Sequence, residues 1–68
     1  MNARLFTTIR KVNGLSQHEM AERLQVSPSL VAKIETGERR CLSKLAEKVV
    51  EEFGAEHISK VAELTKLN

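Results

Sequence analysis

The segment LSQHEMAERLQVSPSLVAKIETG, Leu15 to Gly37, contains two helix starts with almost no chain between them. The first is Ser16-Gln17-His18-Glu19, a capping box in which the Ser16 hydroxyl and the Glu19 carboxylate satisfy backbone N–H groups reciprocally. Leu15 and Met20 flank it at the positions of a hydrophobic staple. The second start repeats the grammar, with Ser27 as N-cap, Pro28 at the first helical position where its missing N–H costs nothing, and Val26 with Val31 as the staple. A first helix ending near Leu24 leaves only Gln25 and Val26 as the connection. So short a joint forces the two helices to cross steeply, at roughly 90–120°.

The remaining punctuation is sparse. Gly14, Gly37 and Gly54 each follow a helical pattern and sit where a helix end wants a residue with positive φ. The opening helix is expected from about Ala3 to Asn13, capped by Asn2, with Leu5, Ile9 and Val12 on one stripe. The second steeply crossed helix runs from about Pro28 to Thr36. After the basic loop GERRC, Leu42, Leu45, Ala46, Val49, Val50 and Phe53 predict a helix from about Ser43 to Phe53. The last is expected from about Glu56 to Lys66, with Ile58, Val61, Ala62 and Thr65 on one stripe and Leu64 and Leu67 to one side. That apolar surface is broader than an amphipathic helix requires. The expectation is an all-α fold, a compact bundle of about five short helices forming a single domain over residues 1–68.

Composition agrees with packed helices. A chain of 68 residues buries only about 60% of its unfolded surface. With 41% hydrophobic residues, two Phe and no Trp or Tyr, the core must come from Leu, Val, Ile, Ala and Met. Cys41 stands alone and is expected in or near the core. His18 and His57 have no Cys, Asp or Ser constellation around them, so neither a disulfide nor a metal site is expected, and no catalytic residue. No Gly-rich phosphate loop, HExxH or GxSxG occurs, so the chain is expected not to be an enzyme and to need no cofactor. MNARLFTTIRK lacks the apolar stretch of a signal peptide, and no run approaches the roughly 20 apolar residues of a membrane span, which implies a cytoplasmic protein with no membrane partner. Charge is uneven. Residues 1–44 hold eight Lys or Arg against four Glu, for +4, and residues 45–68 hold three Lys against five Glu, for −2. Such asymmetry points to one part that binds a polyanion and another with a different task, against the simpler reading of a solvated surface.

Leu15 to Gly37 resembles the helix-turn-helix of the Cro and phage-repressor (XRE-type) DNA-binding domains, whose usual pattern is L-S/T-Q-x-x-L-A-x-x-x-G-V-S-x-x-x-I/V-S-x-x-E-x-G. Gln17, Ala21, Val26, Ser27, Val31, Ile34, Glu35 and Gly37 match in register. The resemblance implies a lambda-repressor-like DNA-binding domain. Ala21 is small where the helices nearly touch, and Val31 and Ile34 face inward to hold their angle. Arg10 and Glu35 fall where several family members carry a buried ion pair. Two differences stand out: Gln25 replaces the usual positive-φ Gly, at a cost of about 1 kcal/mol, and the connection from Gly37 to Leu45-Ala46 is several residues shorter than usual.

By the same resemblance the second helix of the motif lies in the major groove of double-stranded DNA and presents Pro28, Ser29, Ala32 and Lys33 to base edges. Lys33 can donate to guanine O6 and N7, Ser29 serves either base, and Pro28 and Ala32 pack against a thymine methyl. Phosphate contacts are expected from Gln17, Ser27, Thr36, Arg39 and Arg40, aided by the unpaired N–H groups at the start of the motif's first helix. The function implied is a sequence-specific transcriptional regulator, a small repressor of phage or mobile-element type binding an inverted-repeat operator as a homodimer. Ile58, Val61, Leu64 and Leu67 are the expected dimer interface. The alternative is a helix-turn-helix antitoxin or other regulator whose main work is binding a protein partner. A partition or transposition accessory factor shares the LSQxExAExLxVS phrase, but the IETG ending favours the XRE type.

Overall fold

The computed structural model describes residues 1–66. Five helices follow one another, α1 (Ala3–Val12), α2 (Gln17–Leu24), α3 (Pro28–Glu35), α4 (Ser43–Phe53) and α5 (Ala55–Lys66), with no strand among the described residues. The local signals act as the sequence predicts. Asn2 Oδ1 accepts from the Leu5 N–H at 2.8 Å, and Ser27 Oγ accepts from the Leu30 N–H at 3.1 Å. In the capping box, the Glu19 N–H donates to Ser16 Oγ at 3.0 Å and the Ser16 N–H to Glu19 Oε1 at 2.8 Å. α4 differs, for its N-cap is Leu42 and no side chain caps it.

Two helix ends explain the tight joints. At the end of α1 the Gly14 N–H bonds the Lys11 carbonyl and the Leu15 N–H bonds the Arg10 carbonyl, with Gly14 at φ +68. α2 closes in the same way, the Gln25 N–H on Glu22 and the Val26 N–H on Ala21. Both are Schellman closures, which need one left-handed residue each. Gln25 supplies it at φ 58, ψ 44, so a side chain with a Cβ occupies a conformation that favours glycine.

Phe6, Ile9, Met20, Ala21, Leu24, Val31, Ile34, Cys41, Val49, Ile58 and Val61 form a contiguous core. α2 packs on α3 and α4, α1 on α3 and α5, and α4 on α5. Ala21 is buried in this cluster, and Val31 and Ile34 turn inward with it, as the motif requires. The α1 stripe shifts from the expectation. Phe6 and Ile9 are its buried pair, Leu5 is half-buried and Val12 is exposed, because α1 meets both α3 and α5 and Val12 lies at its solvent end. On α4 only Val49 is fully buried, while Leu42 and Val50 face solvent. α5 begins at Ala55, and its apolar residues divide: Ile58 and Val61 complete the chain's own core against α1 and α4, and Leu64 stays 53% exposed. The interface expected from Ile58, Val61, Leu64 and Leu67 is therefore not a surface of one kind. Two of its members are consumed within the chain, and Leu67 lies outside the described residues.

Candidate nucleic-acid interface

The start of α2, the start of α3 and the loop after α3 carry the residues that the sequence singles out. Pro28 and Ser29 are exposed at the first turn of α3, and Ala32 and Lys33 are half-buried along the same helix. Thr36, Arg39 and Arg40 are exposed beyond it. The loop is not loose against the helix, since the Arg39 N–H donates to the Lys33 carbonyl at 3.1 Å and Thr36 Oγ1 donates to the same carbonyl at 3.1 Å. Those bonds tie the base of Arg39 to the last turn of α3. Ser27 Oγ is engaged as the α3 cap, and its hydroxyl hydrogen remains available to a phosphate oxygen.

A shielded charge network sets the relation of α1, α2 and α3. Arg10 Nε and Nη2 donate to Glu35 Oε2 and Oε1 at 2.6 and 3.0 Å, a bidentate pair whose side chains are only 14% and 7% exposed. Arg10 Nη1 also donates to the Leu15 carbonyl at 2.9 Å, in the joint between α1 and α2. Gln17 Nε2 donates to Glu35 Oε1 at 3.1 Å. One carboxylate on α3 thus gathers α1 and the first residue of α2. Because an Arg–carboxylate fork is directional, it fixes an angle as well as a distance.

The titration of these groups follows from the geometry. Burial pushes the Glu35 carboxyl up, but the hydrogen bonds from Arg10 and Gln17 and the charges of Arg10 and Lys11 outweigh it, so the group sits below the usual carboxylate range. The bond to Glu35 raises Arg10 above its ordinary value against the effect of burial. Glu19 is held low by the Ser16 backbone N–H. Burial raises the Cys41 thiol, as befits a core side chain.

Gln17 is where the structure adds most to the sequence reading. Its amide is half-buried and already bonded to Glu35, which leaves a second N–H and the backbone N–H at the α2 start to meet an anion. The sequence reading also misses Leu30. It is half-buried and, with Leu42 and Leu45, floors a shallow groove of about 410 Å³ bordered by Arg39, Arg40 and Lys44. In the sequence its only signal is Leu42 directly after the basic loop GERRC. A third omission is the contact of Asn13 Nδ2 with His57 Nε2 at 3.0 Å, which joins the end of α1 to α5. Among the described residues no cluster of His, Cys, Asp or Glu is arranged to hold a metal, and no helix is long and apolar enough to cross a membrane.

Compared with known families, the chain matches a helix-turn-helix family model over residues 8–61, from within α1 to within α5. The chain belongs to the XRE-type helix-turn-helix family. Neither curated proteins nor solved structures give a match. As a member of this family the protein is a DNA-binding regulator, with α2 and α3 as the motif's two helices. The ion pair that the family resemblance implies is present in this helix-turn-helix protein and links Arg10 to Glu35.

Proposed function

We propose that the protein is a sequence-specific repressor that lays α3 in the major groove of duplex DNA and acts as a pair of copies on an inverted repeat. The observation that carries this reading is the Arg10–Glu35–Gln17 network. It holds the start of α2, a phosphate-binding end, at a set angle to α3, whose Pro28 and Ser29 are exposed while Val31 and Ile34 anchor the helix in the core. Lys33 donates to guanine O6 and N7 in this proposal, Ser29 bonds a neighbouring base edge, and Pro28 and Ala32 pack on a thymine methyl. Gln17, Ser27, Thr36, Arg39 and Arg40 take phosphates on either side. Because the reading face holds one long cation and no Arg, Asn or Gln, part of the selectivity comes from DNA shape.

Pairing is required by arithmetic. One half-site of a few base pairs recurs too often among about 10⁶ or more competing sites for a single copy to be selective. Two copies related by a two-fold axis read successive major-groove turns about 34 Å apart. Occlusion of a promoter follows from such a footprint, which suits a phage or mobile-element repressor. An unbiased selection of binding sites from random duplex DNA tests this directly. The expected result is a two-fold symmetric motif; recovery of no enriched sequence would remove the specific-repressor reading.

A further inference from the structure

The pairing in the proposed function needs a surface, and among the described residues α5 offers little of one beyond Leu64. α4 offers more. Leu42 is 66% exposed and Val50 39% exposed. Leu42 is the N-cap of α4, and Ala46 and Val50 follow it at four-residue steps, so the three run along one side from the start of the helix. Two shallow grooves flank this ridge. One is the leucine-floored groove, whose cations Arg39, Arg40 and Lys44 belong to the N-terminal end of α4 and the loop before it. The other, about 440 Å³, is lined by Ser43, Ala46 and Val50 and bears Glu47 and Glu51 toward the C-terminal end.

A ridge with cations at one end and carboxylates at the other is complementary to itself when two copies meet antiparallel. We propose that α4 is the surface through which a second copy docks, antiparallel, with the two-fold axis passing beside Ala46. Leu42 then meets Val50 of the second copy, Lys44 faces its Glu47, and each contact occurs twice. The methyl group of Ala46 at the crossing lets the helices approach closely. A parallel arrangement would set like charges together, and a purely basic or purely acidic partner would satisfy one end of the ridge and oppose the other. The contact is modest. A single pair of 11-residue helices covers less than the roughly 800 Å² per partner of a standard stable complex, so the free dimer is weak and DNA holds it together. This inference rests on the paired reading of the proposed function and specifies where the pair forms.

Cross-linking locates the axis. In a Cys41→Ala background, Ala46→Cys is placed beside its own symmetry mate and Leu64→Cys is not. The expected result is a disulfide-linked dimer forming at least about ten-fold faster from Ala46→Cys than from Leu64→Cys under mild oxidation, with the helical signal intact in both. Equal rates, or a faster Leu64→Cys, overturn the proposal. A second measurement leaves Cys41 unaltered. Lys44→Glu and Glu47→Lys are each expected to weaken self-association in sedimentation equilibrium by about five- to ten-fold, and the two changes in one chain to restore it. A double variant as weak as the singles overturns the register. Site selection with the unmodified protein separates the two ideas. An inverted repeat without preferential Ala46 cross-linking overturns the α4 surface alone, whereas enrichment of a single half-site overturns pairing itself.

Discussion

α1, α2 and α3 are gathered by an ion pair at 2.6 Å that water scarcely reaches, whereas the ion pairs involving α4 and α5, Arg23–Glu52 at 3.3 Å and Lys60–Glu56 at 3.5 Å, lie in solvent. The first region uses a forked, directional contact where, on the proposed function, the angle between helices decides whether α3 enters a groove. The second relies on apolar contacts of Val49, Ile58 and Val61, which supply cohesion with less demand on orientation. Charge divides along the same line, with +4 over residues 1–44 and −2 over residues 45–68. A shielded, part-buried charge pair thus stands where helix geometry must be unique, and mainly apolar contacts hold α4 and α5 to the rest.

Breaking the fork is expected to have the largest effect. Glu35→Ala leaves Arg10 shielded and unpaired and should lower unfolding free energy by about 3–5 kcal/mol in urea titration. A loss below about 1 kcal/mol would mean that the pair is solvated in practice. Next comes Ile58→Ala in the apolar half, expected to cost about 2–3 kcal/mol. If it instead altered self-association and left the stability of the free chain unchanged, Ile58 would be an interface residue, as the sequence alone suggests.

Acid should act on the first region more than on the second. Glu35 has a native pKa below its unfolded value, so its stabilising share is full above about pH 4.3 and is lost as pH falls through the lower native value. Glu35→Gln should flatten that acid limb of the stability profile, and an unchanged limb would assign it to other carboxylates. The smallest effect is expected from Glu52→Ala, which removes an exposed pair and should cost less than about 1 kcal/mol.

What the sequence disclosed follows the range of the interactions. Ser16 with Glu19, Ser27 with Pro28, and Asn2 are local signals acting over three or four residues, and each is found in place. The left-handed turn was legible too, although Gln25 rather than Gly occupies it. Burial across helices was harder to read. Val12, Leu42 and Val50 look as apolar as Phe6 and Val49, and only the packing of α1 on α5 and α4 on α5 decides which of them water reaches. Ile58 and Leu64 illustrate the same limit on one helix. Residue spacing gives a helix its apolar side, but the width of that side covered by neighbours depends on helix crossings that no local pattern encodes. For the site, Arg10–Glu35 was legible through family resemblance, and the bond from Gln17 to Glu35 was not.

Paired titrations of Lys33→Ala and Arg39→Ala on a selected site decide whether α3 reads bases while the loop after it holds phosphates. Lys33→Ala is expected to lose about 1–3 kcal/mol on the best site and to relax preference at one symmetric position. Arg39→Ala should weaken all sequences alike and reduce the salt slope by about one unit per lost phosphate contact. If Lys33→Ala bound every sequence as the unmodified protein does, α3 would not be the reading helix and the account would fail.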